Sequence, residues 1–283
     1  MAISAGMVKE LRDKTGVGMK DCKKALVETD GDMGQAIDWL RKKGLSKAAK
    51  RADRATSQGV FGVFSAADGT NIAVLELNCE TDFVAKNEDF QMLANQLAAQ
   101  VADTGMTDAE TLKTQAFAAA PEKTVGDALA EALAKIGESI KIGQIIQWKT
   151  QSGDAKIGLY VHTGASAIGL SELTGAAEKD VDELGKNLGM QIVAARPAYL
   201  KPEDVPAEIV EKEKDIYREE ARMSGKPEQI LEKIADGKLN KFFQDMCLVK
   251  QTYVKDPQGK MPVEKLLASE GVGIARFARL SIG

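Results

Sequence analysis

The feature that most limits what this chain can fold into is an apolar hexad that occurs twice, each time followed by a helical pattern. Ile72-Ala73-Val74-Leu75-Glu76-Leu77 matches Ile168-Gly169-Leu170-Ser171-Glu172-Leu173. Downstream, Leu93, Leu97, Gln100 and Val101 correspond to Leu184, Leu188, Gln191 and Ile192. A β-rich run followed by apolar residues at helical spacing is a strand–helix unit. Two copies predict related α+β halves packed together. Ile72 to Leu93 spans 21 residues and Ile168 to Leu184 spans 16, so the first copy carries five more. They fall in TDFVAKN, and because the unit can be built without them, that loop is weighted toward function.

The flanking segments fill in the rest of the pattern. Residues 4–43 read as three short amphipathic helices. Ser4 can cap SAGMVKELRDK, Thr15-Gly16 stops it, MKDCKKALVET follows, and Asp32 caps DMGQAIDWLRKK before Gly44. Val8, Leu11, Ala25, Leu26, Ala36, Ile37 and Leu40 are the expected core. LSKAAKRADRATSQG reads as a polar, basic linker. GVFGVFSAADGTNIAVLELNCE reads as a hairpin turning at Asp68-Gly69, and EDFQMLANQLAAQVAD and TVGDALAEALAKIGES read as helices. KIGQIIQWKT and AKIGLYVHTGASAIGLSEL are expected strands, with a helix in EKDVDELGKNLGMQIVAAR. A charged helical hairpin turns at Gly225-Lys226-Pro227, its seam expected from Ile209, Val210, Ile216, Ile230, Ile234 and Leu239. LVKQTYV then reads as a strand, PVEKLLAS as a short helix, and IARFARLS as a last strand completing the second sheet.

The expected divisions are 1–55, a helical bundle with its basic linker; 56–142, the first half of the core; 143–206 with 247–283, the second half; and 207–246, the inserted hairpin. The fold class is α+β with antiparallel sheets.

Composition removes several functions. A net charge of −4 argues against general nucleic-acid binding, although seven Lys or Arg residues crowd Arg41 to Arg54 against the single Asp53. The bland reading of that cluster is a solvated connector; the alternative is a phosphate-contacting arm, which would give steeply salt-dependent RNA binding. Cys22, Cys79 and Cys247 form no CxxC pair, so neither a disulfide framework nor a cysteine metal site is expected, and a reducing, cytoplasmic setting fits. No signal-peptide core or membrane-length apolar run is present. No GxxxxGK[ST] loop occurs. His162 is the only histidine, in YVHTG without a nucleophile elbow, so an enzyme reading rests on that residue alone. The expectation is no catalytic residue, no metal site and no cofactor.

For Thr81-Asp82-Phe83 the bland reading has Thr81 or Asp82 capping a helical turn while Phe83 covers the sheet. The functional reading has Phe83 offered to a partner. For the helical hairpin the alternatives are a self-contained arm and a docking or homodimer surface.

LRDKTGVGMKDCKKALVETDGDMGQAIDWLRKKG and LNCETDFVAKNEDF resemble the bacterial elongation factor Ts family, and the order of AKIGE, YVHTG, KPEDVPAEIVEKE and the hairpin agrees with it. The resemblance implies a guanine-nucleotide exchange factor that binds the GTPase elongation factor Tu and speeds GDP release, and a ubiquitin-associated-like N-terminal bundle. It implies that Thr81, Asp82, Phe83 and Val84 enter the partner beside its nucleotide and Mg²⁺. It implies further contacts from Arg12, Met19 and Lys23, from Ile136-Gly137, and from His162 to a second partner domain. For Met19 and Ile136 the residues alone favour ordinary helix packing. Lys20 stands where some relatives have an apolar residue. Many relatives continue past the last strand into a C-terminal helix that adds contacts, and here LSIG is the end of the sequence.

Overall fold

The computed structural model describes residues 3–51 and 54–282, without the side chains of 45–51. The basic cluster read as a connector therefore lies partly outside the described residues. The first helix, α1 (Ala5–Thr15), starts where the Ser4 hydroxyl accepts from the Met7 N–H at 3.2 Å and ends at Gly16 with φ +67°. It packs with α2 (Met19–Glu28) and α3 (Met33–Arg51) around Leu11, Cys22, Leu26 and Leu40. Ile37, expected in this core, is 39% exposed. The third helix does not stop at Gly44 but continues to Arg51. Gly44 is buried, and a Cβ there would stand 3.1 Å from the Ala130 carbonyl oxygen. A mid-helix glycine costs roughly 1 kcal/mol relative to alanine. Here it lets α3 lie closely against a later helix, so the contact offsets the propensity and the residue is a packing position, not a stop.

The next elements form a three-stranded antiparallel sheet. Strands β1 (Gln58–Ser65) and β2 (Asn71–Cys79) make the expected hairpin, with Gly69 at φ +70° in its turn. After β2 come the one-turn helix α4 (Asp82–Ala85), α5 (Glu88–Thr104), α6 (Ala109–Thr114), the small pair β3 (Ala116–Phe117) and β4 (Ala120–Thr124), and α7 (Val125–Ile136). Then β5 (Lys141–Lys149) returns beside β2, giving the order β1-β2-β5. Helix α5 lies on β1 at Gly62, where a Cβ would fall 2.0 Å from the Ala94 carbonyl oxygen. The Asn95 side chain accepts from the Val63 N–H at 3.0 Å beside it.

The second sheet has the order β6-β7-β8, from β6 (Lys156–Val161), β7 (Ala167–Thr174) and, after the remaining helices, β8 (Gly273–Ser281). Helix α8 (Asp182–Ala195) rests on it through two pairs of glycines, Gly158 with Gly185 and Gly169 with Gly189. The two sheets meet through Phe61, Ile72 and Val74 of the first and Ile157, Ile168, Leu170 and Leu280 of the second. Strand β2 is thus covered on one face by α5 and on the other by the second sheet, which is why it reads as an almost continuous apolar run. At one edge of this interface Glu172, fully buried, accepts from the Gln151 N–H at 2.6 Å and from Arg276 Nε at 2.5 Å. Arg276 stacks 4.1 Å from the Trp148 ring centre, so the buried charge is paired and the sheets are tied together.

Helices α9 (Ala207–Met223) and α10 (Glu228–Met246) form the antiparallel hairpin. Its seam is narrower than the sequence suggests. Ala221, Leu231, Ala235 and Leu239 are buried, whereas Ile216 and Ile230 are 47% and 40% exposed. Small alanines bring the helices close, and Lys214–Asp236, Arg218–Glu232 and Lys238–Glu220 pairs bridge them at 2.9, 2.6 and 2.6 Å. The LVKQTYV segment is not a strand. Leu248–Lys250 forms a single 3-10 turn, and Gln251 turns inward to donate to the carbonyls of Asp245 and Ala195. Its side chain thereby takes the place of a ladder. The short helix α11 (Val263–Glu270) then leads into β8. No helix among the described residues is long and apolar enough to cross a membrane.

Candidate partner-binding site

NCETDFVAKN is two helix starts in succession. Thr81, in extended conformation, accepts from the Val84 N–H at 3.5 Å and begins α4, and Asn87 accepts from the Phe90 N–H at 3.2 Å and begins α5. The backbone between them is nearly all accounted for. Thr81 C=O accepts from the buried Cys79 thiol at 3.1 Å and from the Ala85 N–H at 3.3 Å, and Gln91 caps the Ala85 carbonyl at 3.1 Å. Burial pushes the Cys79 thiol up to about 11.

Within α4 the side chains divide sharply. Ala85 is 8% exposed and packs on the first-sheet core. Phe83 is 81% exposed, so it does not cover the sheet, and the bland reading fails for this residue. Thr81 does cap, as that reading held. Asp82 pairs with Lys86 one turn on, Nζ to Oδ2 2.7 Å, and this hydrogen bond holds its carboxyl below the usual range.

The second anchor of α4 lies 57 residues away in sequence, just beyond α7. That helix ends at Gly137, φ +90°, and the chain turns so that Glu138 reaches the start of the loop. Its carboxylate accepts from the Glu80 N–H at 3.1 Å, the Thr81 N–H at 3.0 Å and the Thr81 hydroxyl at 2.7 Å. In return the Glu80 carboxylate accepts from the Ser139 N–H at 2.8 Å and from Arg54 at 3.1 Å. The Ser139 contact leads the causes that hold Glu80 below the usual carboxylate range.

Phe83 and Val84 stand on the wall of an open cleft of about 540 Å³ whose other apolar walls include Leu93, Phe117 and Ile136. Thr15 of the N-terminal bundle also lines it, and at its margin Lys123 pairs with Glu131 and Lys135 with Asp89. Thr81, Asp82, Phe83, Val84, Ile136 and Gly137 are therefore gathered in one region. Ile136 serves both readings, since it packs on the first-sheet core and lines the cleft. Arg12, Met19 and Lys23 lie outside the cleft lining, exposed on α1 and α2; Met19 is 48% exposed and so is not ordinary helix packing. His162 is apart from the cleft, exposed at the end of β6, with the Tyr160 hydroxyl 3.0 Å from Nδ1. Glu80 and Glu138 escaped the sequence reading, because each acts across the fold and only their position in NCET and KIGES marks them.

A family model described as elongation factor TS matches residues 80–283, beginning at Glu80 of this loop. Curated relatives are similar from end to end. The elongation factor Ts of Nitratidesulfovibrio vulgaris is 44% identical, covering 100% of this chain and 96% of the relative. Those of Trichlorobacter lovleyi and Magnetococcus marinus are 42% and 41% identical, each covering 100% of this chain and 93% of the relative. The chain belongs to the elongation factor Ts family. In this family member Asp82 and Phe83 are thus the exposed residues of a short turn, Thr81–Val84, that is capped by Thr81 and tied to the first-sheet core.

Proposed function

We propose that the chain, by its family a translation elongation factor, exchanges guanine nucleotide on elongation factor Tu by carrying Phe83 and Asp82 into the GTPase beside bound Mg²⁺ and phosphates. The observation that carries this is the exposure of Phe83, 81%, on a helix fixed at both ends. An apolar side chain held out in water by a rigid frame gains its burial only from a partner. Mg²⁺ demands near-octahedral oxygen geometry and bridges phosphate oxygens, so a small displacement of the elements around it weakens GDP binding disproportionately. Asp82 adds a carboxylate that competes for, or repels, groups near the metal. No covalent step is involved. Linkage requires that the factor lower nucleotide affinity by the ratio in which nucleotide lowers that of the factor, so GTP in turn displaces it.

Arg12, Met19 and Lys23 extend this contact along the N-terminal bundle, Ile136 and Gly137 flank Phe83, and His162 meets a second domain of the partner. The exposure of all but Ile136 supports their being available. The N-terminal helices form a ubiquitin-associated-like bundle, and the two core halves, which share a strand order and a helix on the outer face, are diverged copies of one unit; the divisions 1–55, 56–142, 143–206 with 247–283, and 207–246 go with that reading, with the boundary at 142/143 moved past Lys149 because β5 pairs with β2. The exposed Ile216, Met223 and Ile230 of the hairpin support a second copy as its occupant, and a sedimentation coefficient that stays monomeric at high concentration would exclude it. The exchange reading is tested by release of fluorescent GDP from elongation factor Tu at fixed magnesium. Acceleration is expected, and an unchanged rate refutes it.

A further inference from the structure

We infer that Glu138 is a positioning residue for nucleotide exchange: it brackets the Glu80–Thr81 backbone so that Phe83 is held outward before any partner arrives. The inference rests on the exchange reading and adds to it a residue that touches no partner group. Three donors converge on one carboxylate at 2.7 to 3.1 Å, from two successive backbone amides and the capping hydroxyl. Glu80 closes the bracket from the other side through the Ser139 N–H. Two segments, one leaving β2 and one leaving α7, are thereby locked to each other by reciprocal carboxylate–amide bonds. These are the charge-assisted kind, the stronger and more directional class of hydrogen bond.

The geometry explains why a bracket is needed here. Helix α4 has one turn, too short to be stable by its own hydrogen bonds. Its apolar hold on the core comes mainly from Ala85, with Val84 partly buried beside it. Released from Glu138, the loop loses the acceptor for the Glu80 and Thr81 amides and the Thr81 hydroxyl, and the alternative conformations include ones that press the Phe83 ring against the other apolar walls of the cleft. Such states do not bind the GTPase productively, and the effective factor concentration falls with the competent fraction.

The test compares Glu138→Ala, Glu138→Gln, Phe83→Ala and the Glu138→Ala/Phe83→Ala double variant in fluorescent GDP release from elongation factor Tu. Hydrogen exchange of the free chain is measured alongside. If about one molecule in ten keeps the outward loop, Glu138→Ala lowers the release rate at subsaturating factor about tenfold. Glu138→Gln, which keeps an oxygen for the two amides and a second polar atom for Thr81, stays within about twofold of wild type. The double variant loses less than the product of the two single losses, because Glu138 acts through the loop that carries Phe83. In hydrogen exchange the Glu80 and Thr81 amides lose protection in Glu138→Ala while Leu97 and Val101 of α5 keep theirs. Additive losses in the double variant, a Gln variant as slow as the Ala variant, or unchanged protection at residues 80 and 81 each overturn the inference. Should Glu138→Ala not fold, Glu138→Asp, one methylene too short to reach, carries the same expectations. If the wild type fails to accelerate release, the exchange reading falls, and the exchange of the two amides still decides whether the bracket exists.

Discussion

Phe83→Ala is expected to separate stability from function, because the side chain is 81% exposed in the free protein. Fully burying a phenylalanine side chain contributes ~1.5–3 kcal/mol. Phe83 is 81% exposed, so about a fifth of that, under ~0.6 kcal/mol, is at stake in the free protein. At ~2–4 °C per kcal/mol for a chain of this class the melting temperature falls by no more than about 2 °C. Burial against a partner engages the other four-fifths, ~1–2.5 kcal/mol, which converts to a loss of about 5- to 70-fold in the efficiency of nucleotide release. The assay is release of fluorescent GDP from elongation factor Tu over a series of factor concentrations at fixed magnesium, with thermal melts of the same samples. A fall of more than about 5 °C in the melt, or a release efficiency within twofold of wild type, refutes the reasoning, the first because Phe83 would then be a core residue and the second because it would touch nothing that matters.

Two further expectations follow from particular contacts. Gly62→Ala forces a methyl within 2.0 Å of the Ala94 carbonyl, so α5 must lift from β1; overpacking of this kind costs ~1–3 kcal/mol or more, and a lowered denaturant midpoint is expected where an unchanged one would show that the helix yields freely. The Asp82 carboxyl, held down by Lys86, is expected to titrate in carbon NMR below the ordinary aspartate value of about 3.9 and to move up in Lys86→Ala. A group with a depressed folded pKa contributes stability above its unfolded value and loses it as the pH falls through the folded one. On the acid side the Asp82–Lys86 pair is therefore lost only as the pH falls below about 4, and a midpoint at or above 3.9 in the wild type would remove this contact from the account of the loop.

Much of the core was legible because its signals are local. Ser4, Asp32, the Asp68-Gly69 turn and the apolar periodicity of 88–104 each act on neighbours within a few residues, and each element forms where those signals stand. The misreadings share another cause. Gly44 looks like a helix stop until Ala130, 86 positions away in sequence, is seen against it. LVKQTYV has strand composition, yet the side chain of Gln251 finds its partners in Ala195 and Asp245, and the segment turns. Ile216 and Ile230 look like seam residues until the alanines between the hairpin helices are seen to set the contact line. Non-local partners overrode local propensity in all three cases, and the Glu80–Glu138 bracket was invisible for the same reason.

The outward aim of Phe83 lies between these cases, because it follows from one long-range fact and then from helix geometry alone. Thr81 fixes the start of α4, which the sequence shows. Successive side chains on an α-helix are ~100° apart, so residues two apart point ~200° away from each other. Ala85 is turned into the first-sheet core, and Phe83, two positions earlier, must then face the opposite way into water. An alanine is small enough to sit inside at little cost and contributes little burial of its own. The short helix is thus oriented by a residue that barely holds it, and the orientation is secured by the hydrogen bonds that converge on Glu138. Exposing a phenylalanine at the end of an apolar strand is in this fold the result of two caps, one inward alanine and one distant carboxylate acting together.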